Sequence, residues 1–303
     1  MERSAIESKI SICDVSPRDG LQNDATQTTP EIRAELCARL AQCGVPYVEA
    51  VSFVNEKRVP RMAGADRVVE LLPKDTGTEF NALVLNERGY DRAVSAGIHS
   101  IHYAFPVTDA FGQRNQGSTV ADSLQLAKRL IERAEQDGHE ISIGLAVAFG
   151  CPFEGRVEPQ RVLEIAHAVA SLRPAMISFA DTIGVGVPGQ VRTLLEGMRD
   201  IEIPVGCHFH DTRNTGVANA LAAVEAGATV LDASVGGVGG CPFAPAATGN
   251  VATEDVVYML HGMGYETGID LDRLISTAKW LEQQLGHSVP SALHRAGPFK
   301  LSA

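Results

Sequence analysis

Short apolar, β-branched runs alternate along this chain with longer stretches in which apolar residues recur every three or four positions, the two periods expected of strands and amphipathic helices. The short runs predict eight strands, over residues 9–14, 47–51, 79–84, 100–104, 141–147, 175–178, 205–208 and 229–233. The longer patterns predict intervening helices over 31–42, 121–136, 159–170, 187–199 and 214–226, with two more over 253–261 and 271–285 after the last strand. Gly44, Gly97 and Gly227 each stand between a helical stretch and the next strand, where a left-handed residue stops a helix. Strand then helix, repeated eight times, closes most simply into an α/β fold, the (β/α)8 TIM barrel, here with extra C-terminal helices. A doubly wound open sheet also fits the order, but no G-x-G-x-x-G follows the first strand, which argues against its dinucleotide-binding form.

Composition agrees with one large core of small aliphatic side chains: 303 residues, 45% hydrophobic and only 5% aromatic. A barrel needs roughly 250 residues. With no linker or low-complexity stretch to divide it, the chain is expected to be a single domain over 1–303, the barrel spanning about 9–235 and a capping loop with the terminal helices about 236–303. The formal charge is −11, and Lys and Arg are scattered, so no basic footprint for nucleic acid or an anionic membrane is present. An anionic substrate must then be held locally, by a metal ion or a few placed cations. The six cysteines include no C-x-x-C pair, the start MERSAIESKI lacks an apolar signal core, and no segment approaches the ~18 apolar residues of a membrane span. A soluble protein of the reducing cytoplasm is the expectation.

In a (β/α)8 barrel, polar residues just past several strands converge in space. Arg18 and Asp19 follow the first strand, Glu49 ends the second, Asp181 follows the sixth, and His208-Phe209-His210-Asp211 closes the seventh. After the eighth come a glycine-rich loop, Gly236-Gly237-Val238-Gly239-Gly240-Cys241, and Asn250. His208 and His210, two apart in an extended segment, point to one side, and with Asp19 and Asn250 they form an N2O2 set suited to Mg2+, Mn2+ or Zn2+. An H-x-H pair alone is equally consistent with hydrogen-bonded histidines at a strand end; the acids at other strand ends tip the balance. Glu49 and Asp181 fit either a direct catalytic role or a supporting one, fixing a histidine N–H or pairing with Arg18. Arg18 fits an oxyanion holder, with a purely structural ion pair as the alternative. On its glycine-rich loop Cys241 could be an acid, a nucleophile or a redox-sensitive thiol, whereas Cys13, Cys37 and Cys43 read as structural, and Cys151 and Cys207, near strand ends, are open.

These residues carry a family likeness. Val15-Ser16-Pro17-Arg18-Asp19-Gly20-Leu21-Gln22-Asn23, Val48-Glu49-Ala50-Val51-Ser52-Phe53-Val54, Gly150-Cys151-Pro152-Phe153-Glu154-Gly155 and Asp181-Thr182-Ile183-Gly184-Val185-Gly186 resemble the 3-hydroxy-3-methylglutaryl-CoA (HMG-CoA) lyase family. So do His208-Phe209-His210-Asp211-Thr212, Gly236-Gly237-Val238-Gly239-Gly240-Cys241-Pro242-Phe243-Ala244 and Gly249-Asn250-Val251-Ala252-Thr253-Glu254-Asp255, in order, within a likeness running from about residue 9 to residue 285. Isopropylmalate and homocitrate synthases share the Arg-Asp and His-x-His elements, but the Gly-Gly-Cys-Pro loop resembles the lyase branch.

The resemblance implies that Asp19, His208, His210 and Asn250 hold a divalent metal, that Arg18 stabilises an enolate, that Cys241 is the loop cysteine, and that Glu49, Asp181 and Glu254 are supporting acids. It implies retro-Claisen cleavage of an acyl-CoA, HMG-CoA yielding acetyl-CoA and acetoacetate, as in leucine degradation and ketone-body formation, by a homo-oligomer, dimer or tetramer. In that chemistry Asp19 is the base, and Cys241 or His208 returns a proton to the acetyl-CoA carbon. Cleavage of a related ester such as citramalyl-CoA, a condensing synthase, and a non-catalytic binding barrel are the other readings. The chain departs from the pattern at Arg213-Asn214-Thr215, where Tyr-Gly-Gln is usual, at Ala25 for Lys, at Phe179-Ala180 for Leu-Gly and at Ala246 for Gly. None of these removes a catalytic group, and all bear on which acyl group is accepted.

Overall fold

The computed structural model describes residues 9–240 and 249–299. Its strands β1 (Ser11–Asp14), β2 (Tyr47–Ser52), β3 (Glu79–Val84), β4 (Ser100–Pro106), β5 (Glu140–Ala146), β6 (Met176–Asp181), β7 (Val205–Phe209) and β8 (Val230–Ala233) form a closed barrel in chain order. All pairings are parallel, and β8 returns to β1 with Asp14 opposite Ala233. The crossovers carry α1 (Pro30–Gln42), α2 (Ala65–Leu71), α3 (Glu87–Ser95), α4 (Asp109–Asn115), α5 (Val120–Asp137), α6 (Pro159–Ala170), α7 (Pro188–Glu196) and α8 (Gly216–Glu225). After β8 come α9 (Thr253–Gly262), α10 (Leu271–Leu285) and α11 (Ala292–Ala296), with α10 packed on α1 and on the short turn Val235–Gly237. No described helix is long and apolar enough to cross a membrane.

The expected barrel and its terminal helices are present. The largest displacement of a strand end is that of β6, which runs beyond residue 178 to Asp181; β1 starts two residues late, at Ser11, and β4 runs two residues past 104 to Pro106. Four short helices, α2, α3, α4 and α11, have no range among the patterns above, although the Gly97 stop marks the end of α3. Each is nine residues or fewer, too short for an apolar stripe to repeat.

Side-chain alternation explains how this barrel keeps an open centre. Along β4, Ile101, Tyr103 and Phe105 point outward and are at most 1% exposed beneath the helices, while His102 and Ala104 face the interior. On β5, Ile141, Ile143 and Leu145 face out and Gly144 and Ala146 in; on β6, Ile177 and Phe179 face out and Ser178 and Ala180 in. The bulky apolar groups that supply most of the burial energy, ~1.5–3 kcal/mol each, therefore lie between sheet and helices. Small and polar groups line the inside, leaving a cavity of about 380 Å3 open at the C-terminal ends of the strands.

Candidate active site and metal centre

The chain leaves β1 through a five-residue π-helical turn, Ser16–Gly20, that sets Arg18 and Asp19 side by side over the cavity. Asp14, the fully buried last residue of β1, fixes this turn. Its carboxylate accepts from Ser16 N at 2.9 Å, Val235 N at 3.0 Å and Thr253 Oγ1 at 2.6 Å, tying the turn to the end of β8 and the start of α9. Only glycine fits at position 20, because a Cβ there would lie 2.8 Å from Val238 Cγ2 and 2.9 Å from Ser234 Oγ.

Arg18 donates through Nε to Glu49 and through Nη1 to Asp19 Oδ1 at 2.8 Å, while Nη2 makes no hydrogen bond among the described residues. Burial disfavours its charge, but Glu49 and Asp19 outweigh that and hold the guanidinium firmly protonated. The structural ion pair and the oxyanion role are thus compatible: Nε and Nη1 are each engaged by a carboxylate, and Nη2 is left for a substrate oxygen. Glu49, buried behind the arginine, holds Nε, as its supporting role would require.

Asp19, His208 and His210 offer ligand atoms that all lie within 4.8 Å of one another. The two imidazole centroids are 5.2 Å apart, as the extended H-x-H predicts. Asn250 reaches them because the segment after β8 returns along the end of β7: His210 and Asn250 form an antiparallel bridge, with Asp211 N donating to Gly249 O at 3.0 Å and Val251 N to Phe209 O at 2.9 Å. Asn250 Nδ2 donates to Asp19 Oδ2 at 2.9 Å.

Two buried polar atoms of this cluster, Asn250 Oδ1 and His210 Nδ1, have no partner, a costly arrangement unless something binds there. Burial, and then His208, push His210 down to about 4, so it is a neutral imidazole at physiological pH, the form a metal ligates. Burial opposes ionisation of Asp19, but Arg18, His208 and His210 overcome it and hold the carboxyl well below the usual range. A carboxylate, two imidazoles and an amide oxygen thus fit a divalent cation.

Asp232 was not singled out from sequence. It lies inside β8 on the cavity side and contacts His208 Nδ1 at 3.2 Å, the carboxylate–histidine arrangement that orients metal ligands. An acid in the middle of a short strand, at an inward position, was the available signal. With Nδ1 against Asp232, Nε2 is the ring nitrogen His208 offers to a metal.

Asp181 makes neither expected contact. It has the outward parity of Ile177 and Phe179, and its carboxylate accepts from Val185 N at 2.9 Å and Gly186 N at 2.8 Å. It shapes the loop after β6, which Arg213 clamps by donating to Ile183 O and Gly184 O at 3.1 and 2.7 Å. Arg213 therefore braces a loop and does not line the cavity, and Asn214 takes the left-handed conformation (φ 55°) where the resemblance expects glycine. Of the described departures from the family pattern, only Ala180 faces the cavity; Ala246 lies outside the described residues.

Cys241 also lies outside the described residues, directly after Gly240, whose carbonyl accepts from Asn23 Nδ2 at 3.0 Å at the cavity rim. The other five cysteines are free and buried. Burial pushes the thiols of Cys13, Cys37, Cys43 and Cys207 up, which keeps them protonated and unreactive.

Glu254, at the start of α9, is fully buried and accepts from Gly236 N with both oxygens, at 3.1 and 3.0 Å. Burial raises its carboxyl to about 7 despite those bonds. Asp14, for the same reason, is raised to about 6. Both folded-state values exceed those of an unfolded chain, so this contribution to stability is complete at acid pH and is lost as pH rises through about 6 to 7. The melting temperature of wild type should consequently fall between about pH 4 and about pH 7, less steeply in Glu254→Gln. Identical pH profiles for the two proteins would show that Glu254 titrates alike in both states.

With the geometry in place, relatives can be compared. The HMGL-like family profile matches residues 9–281. The chain is 42% identical to an (R)-citramalyl-CoA lyase of Chloroflexus aurantiacus over 95% of each chain. It is 36% identical to the hydroxymethylglutaryl-CoA lyase YngG of Bacillus subtilis over 93% of this chain and 95% of that one. A solved HMG-CoA lyase from Acinetobacter baumannii, in complex with coenzyme A and 3-methylmalate, superposes with a TM-score of 0.93 at 34% identity and covers 99% of both chains. The barrel, the His-x-His strand end and the returning Asn250 segment all lie within the matched region, and the chain belongs to the HMGL-like family.

Proposed function

We propose that this protein, a carbon–carbon lyase of the HMGL-like family, cleaves a 3-hydroxy-3-methyl acyl-CoA with a terminal carboxylate, releasing acetyl-CoA and a keto acid. The observation that carries this is one cavity holding the Asp19–His208–His210 cluster, with Asn250 Oδ1 unpartnered beside it and an Arg18 donor free. Citramalyl-CoA, giving acetyl-CoA and pyruvate, is the favoured ester because the relative at 42% identity is named for it. HMG-CoA, giving acetyl-CoA and acetoacetate, is the second reading, supported by the relatives at 36%.

When bound by Asp19, His208, His210 and Asn250, a divalent cation supplies Lewis acidity that lowers the pKa of the substrate's C3 hydroxyl and orients its oxygens. Asp19, a weak base so close to Arg18, accepts the proton of that hydroxyl. The C2–C3 bond then breaks: C3 becomes the ketone of the departing acid, and the electron pair passes into a thioester enolate whose oxygen Arg18 Nη2 holds. A proton delivered to C2 completes acetyl-CoA. Since His208 is committed on both nitrogens, Cys241 is assigned that delivery.

Exhaustive chelation should abolish cleavage of either ester, and Mg2+ or Mn2+ should restore it, with Zn2+ the remaining candidate. Full turnover by rigorously metal-free protein would overturn the proposed mechanism.

A further inference from the structure

His102 faces the same cavity from β4, the strand opposite β8 in the barrel, and has no part in the mechanism above. Its ring is held in one place. Nδ1 lies 2.8 Å from Ser142 Oγ, its lateral partner on β5, and Ser142 in turn donates to Ile101 O at 3.4 Å. The other edge, Cε1 and Nε2, leans over Gly144: a Cβ at position 144 would lie 2.8 Å from Nε2 and 3.0 Å from Cε1. Position 144 therefore has to be glycine for the imidazole to lie where it does. Nε2 makes no hydrogen bond among the described residues and is not among the sealed, unpartnered atoms, so this edge opens into the cavity.

Above this ring, towards the mouth, the inward wall is made of very small side chains, Ala104, Ala146 and Ala180. The metal cluster and Arg18 rise on the other side, from β7, β8 and the turn after β1. Four inward positions of β4, β5 and β6 are thus glycine or alanine, and on that side of the barrel the imidazole of His102, next to Leu83 of β3, is the large group whose free edge stands in the opening. Opposite Asp19, the alanine-walled space ends at that edge.

We propose that His102 is the residue that sets the length of the acyl group, its ring closing the floor of the cavity so that the five-carbon citramalyl group fits and the longer six-carbon group is disfavoured. This rests on the lyase reading above and deepens it. The ring acts mainly by occupying space, and Nε2 gives the floor one polar point for an oxygen of the substrate or a bridging water. One methylene more or less against such a wall changes selectivity by roughly 10–200-fold.

The test compares kcat/KM for citramalyl-CoA and HMG-CoA in wild type, His102→Ala and His102→Asn, with Mn2+ affinity measured alongside. Asparagine can keep the bond to Ser142 while removing only the Cε1–Nε2 edge, so it probes the floor even should the alanine variant fail to fold. Wild type should favour citramalyl-CoA by about tenfold or more, and both variants should reduce that ratio by about tenfold or more, HMG-CoA gaining in absolute kcat/KM. Metal affinity should be unchanged, which a general loosening of the barrel would not preserve. Cleavage of both esters with an unaltered ratio in the variants would overturn the assignment of His102 alone. Cleavage of neither ester by metal-loaded wild type would overturn the lyase reading, and this assignment with it.

Discussion

Asp19→Ala and His208→Ala are expected to lose tight Mn2+ binding and to lower kcat/KM by about a thousandfold or more, with the barrel still folded. The size of the effect follows from what each group does. In the proposed mechanism Asp19 supplies the anionic ligand and the base, and in the structure it also braces Arg18 and Asn250, at 2.8 and 2.9 Å. His208, whose ring Asp232 orients, is a ligand in the same proposal. Neither side chain supports the apolar layer between sheet and helices, so removing it should leave the thermal transition cooperative. Electron paramagnetic resonance titration of Mn2+ beside a melting curve checks both statements. Loss of the fold, or wild-type Mn2+ affinity in both variants, would mean that the cluster is structural.

Arg18→Gln should lower kcat by about a hundredfold or more while KM changes little, because the free Nη2 works on charge that exists only as the C2–C3 bond breaks. Steady-state kinetics on the favoured ester separates the possibilities. A raised KM at unchanged kcat would assign Arg18 to holding the ground-state thioester, and unfolding would assign it to the ion pair with Glu49. Arg18→Lys should recover little, since one ammonium cannot contact Glu49, Asp19 and a substrate oxygen in the fixed directions of a guanidinium.

Much of the architecture was legible because each strand is a compact β-branched run and the long helices repeat their apolar stripe, as in α5 and α10. The short helices α2, α3, α4 and α11 escaped because seven or so residues hold too little periodicity to distinguish a helix from a polar loop. For the site, the positions of Arg18, Asp19, His208 and His210 followed from strand ends alone. Asn250 was placed in the ligand set from its position after the eighth strand, but how it gets there was not legible, since its approach depends on chain returning along β7 through the 210–250 bridge. Asp181 shows the limit of reading strand ends: β6 runs three residues past the expected end, so Asp181 lies within the strand at an outward position, and an acid expected at the cavity caps a loop instead. Asp14, Asp232 and His102 were hidden in strands, where a single polar residue in a run reads as incidental until the inward face is known to be an open cavity.

Identifying the products made from citramalyl-CoA and HMG-CoA by the Mn2+-loaded protein tests the central claim most directly. The lyase account predicts stoichiometric acetyl-CoA with pyruvate from the first ester or acetoacetate from the second, and no free CoA. Free CoA with the intact hydroxy acid, or no consumption of either ester under conditions where Mn2+ is bound, would contradict it.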